Sequence, residues 1–258
     1  MIRLGVGGED LVAQTLARAG WKVSARSVRR IGRERHGQGP PPAPLSGKAS
    51  RPVIARFTHH VWMMDATVVK AFLGGELHVA AVFDAFSRVP LALHAFDGKP
   101  GAAAMARLLK ATTKAFSKPK YVITDRGGEF TGKVFSKAVG RLGIVQRFAS
   151  TENIFATARL ERFWRTLKDT ASLRLRPPLT IGDLERRLET TLTHYVLFRP
   201  HQGLYGATPA EASLGREPAC LRAASPPRGR PGEGPVCSPF AIDFLDRDQQ
   251  AFPFLTAA

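Results

Sequence analysis

VWMMDATVV, residues 61–69, is an apolar and β-branched run with one carboxylate inside it. Two further apolar runs follow at short intervals, ELHVAAVF at 76–83 and RVPLALHAF at 88–96. Each has the length and composition of a strand, and the short connections predict an antiparallel meander. Downstream the period changes. PGAAAMARLLKATTKAF (100–116) carries apolar residues at helical spacing, KYVITD (120–125) reads as a strand, TGKVFSKAVGRLG (131–143) as a helix ended by Gly143, and IVQRF (144–148) as a strand. Longer helices are expected over about 157–172 and 182–198. Three strands followed by alternating helix and strand predict an α/β fold with a mixed sheet. No internal repeat is present.

The flanks differ in character from this core. EDLVAQTLARAG (9–20) places Leu11, Val12, Leu16 and Ala19 at helical spacing, with Gly20 as a stop. Ser24 then stands as an N-cap for ARSVRRIGRER (25–35), in which Val28 and Ile31 are expected inside and Arg26, Arg29, Arg30, Arg33 and Arg35 outside. Helix, turn and basic helix is the helix-turn-helix pattern, whose second helix enters the DNA major groove; a basic, solvated helix would read the same way. HGQGPPPAPLSGKASRP, from residue 36, is too rich in Pro and Gly to hold a helix or a central strand. The expected organisation is a DNA-binding segment over 1–35, a linker over 36–56, a catalytic core over 57–215 and a Pro/Gly/Arg-rich tail over 216–258.

Charge narrows the partners. Lys and Arg number 38 against 21 Asp and Glu, a net charge of +17, and such an excess seeks a polyanion. A GC-rich genome would explain Arg over Lys but not the net charge; DNA-binding and RNA-binding proteins both fit. Two cysteines, Cys220 and Cys237, make neither a disulfide framework nor a four-cysteine zinc site. No apolar run is long enough to span a membrane, and the acidic residues near the N-terminus are unlike a signal peptide. A cytoplasmic protein with no membrane partner is expected.

Three carboxylates carry the candidate chemistry. Asp65 lies within a buried-strand sequence, where an ionised carboxyl must be hydrogen-bonded, paired or metal-bound; taken alone, it could simply pair with an Arg. Asp125 ends the strand in VITDRGGEF, at the carboxyl edge where α/β folds place ligands, and taken alone it could merely start a turn. Glu161, in TARLERFWRTLKD, precedes Arg165 and Lys168 at i+4 and i+7, which could equally be a solvated ion-pair face.

Together these segments resemble the catalytic core of DDE transposases of bacterial insertion sequences and of retroviral integrases. Trp62 stands shortly before Asp65, Asp125 lies in TDRGGEF, thirty-five residues separate Asp125 from Glu161, and Glu161 opens ERFWRTLK. FDAFSR (83–88) is similar to the second strand and turn of that family, and FRPHQGLYGATPAE (198–211) to the segment that closes its core. Thr157 and Ala158 depart from it, since the small residue before the Glu is kept but the Asn is not.

The resemblance implies an RNase H-like sheet with flanking helices and two Mg²⁺ ions, with Mn²⁺ able to substitute. These would be held by Asp65, Asp125 and Glu161, Asp65 bridging both. It implies cleavage and strand transfer of double-stranded DNA at the ends of a mobile element, by a homo-oligomer on DNA in the bacterial cytoplasm and nucleoid. Arg165 and Lys168, with Arg26, Arg29, Arg30 and Arg33 of the basic helix, are the expected DNA-backbone contacts. Phe163 and Trp164 are expected in the core rather than stacked on bases, His201 and Gln202 on a surface loop rather than facing the site, and His59 and His60 either bind phosphate or have no role. Two alternatives stand beside the transposase: a decayed copy that only binds DNA, and a nuclease of the same fold.

Overall fold

The computed structural model describes residues 8–36, 55–149 and 154–216, and of 32–36 and 154–157 the backbone alone. Most of the expected linker, the tail with Cys220 and Cys237, and the side chains of Arg33, Arg35 and Thr157 lie outside the described residues. Chain contacts divide the described residues into two units, one of 8–36 with 195–216 and one of 55–194.

In the first unit, helices α1 (Glu9–Arg18) and α2 (Ala25–His36) form as expected. Gly20, at φ +87°, turns the chain so that the Trp21 N–H returns to the Leu16 carbonyl at 2.8 Å. Ser24 caps α2, its Oγ accepting the Ser27 N–H at 3.1 Å. Val28 is buried as expected, but Ile31 is 39% exposed, and Ala19 is exposed while Ala13 is buried instead. Three residues amount to a rotation about 60° short of a full turn, which carries Ile31 to the rim of the apolar stripe. Arg26, Arg29 and Arg30 are exposed.

The second unit is a five-stranded sheet in the order β3-β2-β1-β4-β5 with flanking helices. β1 (Val61–Lys70), β2 (Glu76–Asp84) and β3 (Pro90–Phe96) form the expected antiparallel meander. After α3 (Ala102–Ala115), β4 (Tyr121–Thr124) joins β1 in parallel. α4 (Gly128–Thr131) and α5 (Lys133–Arg141) lead to β5 (Val145–Phe148), parallel to β4. β1 is central and its first four residues are buried, which is why 61–64 reads as a continuous apolar run. β5 is an edge strand and carries exposed side chains. Trp62, Met64, Phe83, Phe130 and Phe135 are among the fully buried side chains.

Three helix bounds differ from expectation. The expected 131–143 helix is α5, which starts after Gly132, an N-cap with an extended backbone (ψ 146°), and the short helix α4 before it, GEFT, was not expected. Gly143 ends α5 at φ +67°, as its position predicts. The long helix α6 (Ile154–Thr170) starts earlier than expected, and α7 (Ile181–Thr193) gives way to a π-helical turn over His194–Phe198.

In the first unit, FRPHQGLYGATPAE ends in helix α8 (Pro209–Ser213). Glu211 is fully buried: its Oε2 accepts the Thr208 N–H and an Arg18 guanidinium N–H, each at 2.8 Å, while its own N–H reaches Thr208 Oγ1. This capping box is thus joined to α1. Glu211→Ala leaves the Arg18 charge without its buried partner, and a loss of about 3 kcal/mol is expected. Thermal melting checks it; a shift of under about 2 °C, at most about 1 kcal/mol for a chain of this size, would contradict it.

Candidate active site

β4 stops at Thr124, whereas β1 runs on to Lys70. The β1–β4 register pairs Val61 with Tyr121 and Met63 with Ile123; continued for two residues, it sets Asp125 beside Asp65. Past that level the β4 side of β1 is unpaired, and this is where the candidate residues gather.

Asp65 uses both oxygens. Oδ1 accepts the Ala66 N–H at 2.9 Å and Oδ2 accepts the Trp164 indole N–H at 2.8 Å. Burial pushes its pKa up to about 6; the two hydrogen bonds pull down, while the negative charges of Asp125 and Glu129 push up. Asp125 Oδ1 accepts the Gly127 N–H at 2.9 Å, closing the turn at the end of β4. Glu129 lies alongside, mostly buried, 3.8 Å from Lys99 Nζ. A Cβ on Gly127 would lie 2.9 Å from the Glu129 carboxyl and 3.0 Å from Asp125 Oδ1, so a glycine is what allows the two acids to close over the turn.

The buried Asp65 carboxyl has a stability consequence. Below about pH 4 it is protonated in both the folded and the unfolded chain, and no penalty exists. As pH rises through about 6 the folded chain must ionise a buried acid, and stability falls. Asp65→Asn is therefore expected to stabilise the metal-free protein by about 1–2 kcal/mol near pH 7.5, once one lost hydrogen bond is set against the cost of ionising this buried acid. The gain should fade below pH 4. Urea unfolding at the two pH values measures it, and an unchanged difference between native and variant would contradict it.

Glu161 is exposed on α6, one turn before Trp164 and on the same face. The structure thus brings Asp65 and Asp125 together, with Glu129, and leaves Glu161 facing solvent. Among the described residues, no group of three or more His, Cys, Asp or Glu side chains is close enough to hold a metal ion. The donors that do meet are all carboxylate oxygens, the hard ligands that suit Mg²⁺ and Mn²⁺, and their mutual repulsion is what a cation would relieve.

Arg165 is exposed. Lys168 is committed to β1: its Nζ donates to Thr67 Oγ1 at 2.7 Å and to the Val68 carbonyl at 2.8 Å. Burial lowers its pKa, the Arg174 charge lowers it further, and the Asp65 charge opposes both. Phe163 packs against Phe83 in the core, with ring centroids 5.1 Å apart. His59 is structural: its N–H donates to Asp84 Oδ1 at 2.9 Å and its Nδ1 accepts the Trp62 indole N–H at 3.2 Å. His201 packs its ring against Tyr195, and Gln202 donates to Asp10 Oδ2 at 3.1 Å, both within the first unit. Glu129 and Asp84 had no role in the sequence reading, and Trp164 was expected only as a core residue. Glu129 carried a signal, being an acid two residues past a glycine that follows Asp125, and Asp84 ends an apolar strand much as Asp125 does.

Residues 57–153 match the integrase core domain family. That span holds Asp65, Asp125 and Glu129 and ends before Glu161. Solved structures agree on the fold. A chain of the simian T-cell lymphotropic virus intasome, in complex with PP2A regulatory subunit B56 gamma, is similar with a TM-score of 0.54 and 16% identity, over 83% of this chain and 72% of that one. The HTLV-2 integrase catalytic core domain in complex with magnesium, in its dimeric form, gives 0.50 and 17%, over 62% of this chain and 99% of that one. The mixed sheet with flanking helices is the RNase H-like architecture of integrase catalytic cores. No described helix is long and apolar enough to cross a membrane.

Proposed function

We propose that this chain is a DDE-type DNA transposase, a polynucleotidyl transferase that cleaves DNA at the ends of a mobile element and joins the freed 3′-hydroxyls to target DNA. The observation that supports the reading is that Asp65, on β1, and Asp125, just past the end of the neighbouring β4, come together in an integrase-type core. Asp65, Asp125 and Glu161 would hold the divalent ions, Mg²⁺ or Mn²⁺. Such ions neutralise charge at the phosphate oxygens and lower the pKa of water. The residues of the chain hold and orient. Asp65 is fixed by two hydrogen bonds, Asp125 by its turn, and the exposed Glu161 can swing inward without leaving a buried gap. In cleavage, water adds at phosphorus and the 3′-oxygen leaves; in joining, the 3′-hydroxyl adds to a target phosphate and displaces its 3′-oxygen.

The charge of +17 supports DNA as the partner. Arg26, Arg29 and Arg30 on the exposed face of α2, together with Arg33 and Arg165, are proposed backbone contacts; Lys168 would reach DNA only by giving up its bonds to β1. A homo-oligomer follows from joining two ends at once, and the dimeric and trimeric forms of the HTLV-2 core point the same way. Bacterial nucleoid-associated action completes the reading. One observation favours a decayed copy that only binds DNA, namely that Glu161 stands apart from the Asp pair.

The test is nicking of supercoiled plasmid in Mn²⁺ and Mg²⁺ by the native chain, Asp125→Asn and Glu161→Gln. Nicking by the native chain alone supports the reading. DNA binding without nicking by any of them supports the decayed copy. Gly127→Ala probes the same site sterically: the added methyl displaces the Asp125 and Glu129 carboxyls. Nicking should fall at least about tenfold, since small misplacements cost this much, with little change in melting temperature. Native nicking rates in Gly127→Ala would count against Asp125.

A further inference from the structure

Trp164 is buried on α6, where packing alone would be served by Phe. Its single polar atom is instead spent on Asp65 Oδ2, at 2.8 Å across 99 residues of sequence. With Oδ1 held by the Ala66 N–H, the two oxygens are restrained from different directions. A carboxylate beside two others would otherwise turn away from them. Four residues on, Lys168 bonds to Thr67 and Val68. The two pins match in pitch: four helical residues rise about 6 Å and two strand residues about 6.6 Å. α6 therefore runs alongside β1 in step with it, and Glu161 lies about 4.5 Å back along the helix axis from Trp164, roughly one strand residue before Asp65.

We infer that Trp164 is a positioning residue, one that orients the Asp65 carboxylate and fixes where Glu161 stands along β1. The inference rests on the proposed roles of Asp65, Asp125 and Glu161. Removing the indole N–H leaves the Asp65 carboxylate restrained by the Ala66 N–H alone and takes away one of the two polar ties from α6 to this stretch of β1. Partners of this kind change metal affinity about 10- to 100-fold in metalloproteins.

Mn²⁺ binding, read by electron paramagnetic resonance, tests it in the native chain, Trp164→Phe and Asp125→Asn. Asp125→Asn should lose Mn²⁺ binding. Trp164→Phe should melt cooperatively, bind Mn²⁺ at least about tenfold more weakly, and lower the kcat of nicking with the KM for DNA unchanged. Loss in Asp125→Asn with native affinity and kcat in Trp164→Phe would overturn the inference and leave the metal site standing. Native affinity in Asp125→Asn would overturn the metal site itself, and the inference with it. Should Trp164→Phe fail to fold, the indole N–H resonances of the native chain decide. Addition of Mg²⁺ should shift that of Trp164 and leave those of Trp21 and Trp62 in place. An unmoved Trp164 resonance in a chain that binds Mg²⁺ would overturn it.

Discussion

Asp125→Asn is expected to fold, to bind DNA and to nick it on the order of a thousandfold more slowly, a loss of about 4 kcal/mol of transition-state stabilisation. The expected loss is large because the substitution is structurally small. Asn keeps the oxygen that accepts the Gly127 N–H, so the turn after β4 is retained. It removes one of the two charges that crowd Asp65, so stability should hold or rise slightly. What disappears is a negative donor for a divalent ion. Glu161→Gln should show a loss of the same order with no change in stability, because the side chain is exposed and nothing packs on its charge. Plasmid nicking measures both losses, and gel shifts check that DNA binding survives. A rate within tenfold of native in Asp125→Asn would remove that residue from the chemistry. Native activity in Glu161→Gln alone would point to Glu129, the carboxyl already beside Asp65, as the third acid.

The sheet was legible because its strands obey one rule each. The central β1 is apolar throughout its first four residues, and the meander follows from short connections that allow only antiparallel neighbours. Helix ends were less so. Gly143 signalled its stop through a backbone that only glycine adopts readily, but Gly132 caps the start of α5 with an extended conformation open to any residue, and composition does not mark it. At the site, Asp65 and Asp125 were legible as acids in or after apolar strands. The Trp164–Asp65 bond was not, since periodicity assigns a tryptophan to the core without saying where its N–H points. Lys168 misleads for a related reason: a lysine on a basic helix reads as solvated, and here strand β1 supplies two acceptors for its ammonium.

Asp84→Ala should be the most destabilising single change in the core unit, by about 3–5 kcal/mol, although the residue touches none of the candidate catalytic side chains. Asp84 is fully buried at the end of β2, opposite Trp62 in the register. Its Oδ1 accepts the His59 N–H at 2.9 Å, and its Oδ2 accepts the Ser87 N–H at 2.7 Å and the Ser87 hydroxyl at 2.6 Å. Two backbones in the left-handed region, His59 and Arg88, each at φ +64°, flank these bonds, and that geometry is unfavourable unless its surroundings hold it. Alanine leaves three donors without an acceptor, those of Ser87 fully buried. At about 2–4 °C per kcal/mol the melting temperature should fall by roughly 6–20 °C. Asp84→Asn should fall less, because one amide oxygen serves one side of the turn while the amide N–H groups face donors on the other. The link to the site is indirect: His59 Nδ1 holds the Trp62 indole at 3.2 Å, and Asp65 is three residues further along the same strand. At temperatures where Asp84→Ala remains folded, nicking should be close to native. A variant that melted like the native chain but no longer nicked would instead make Asp84 part of the catalytic set and the turn its support.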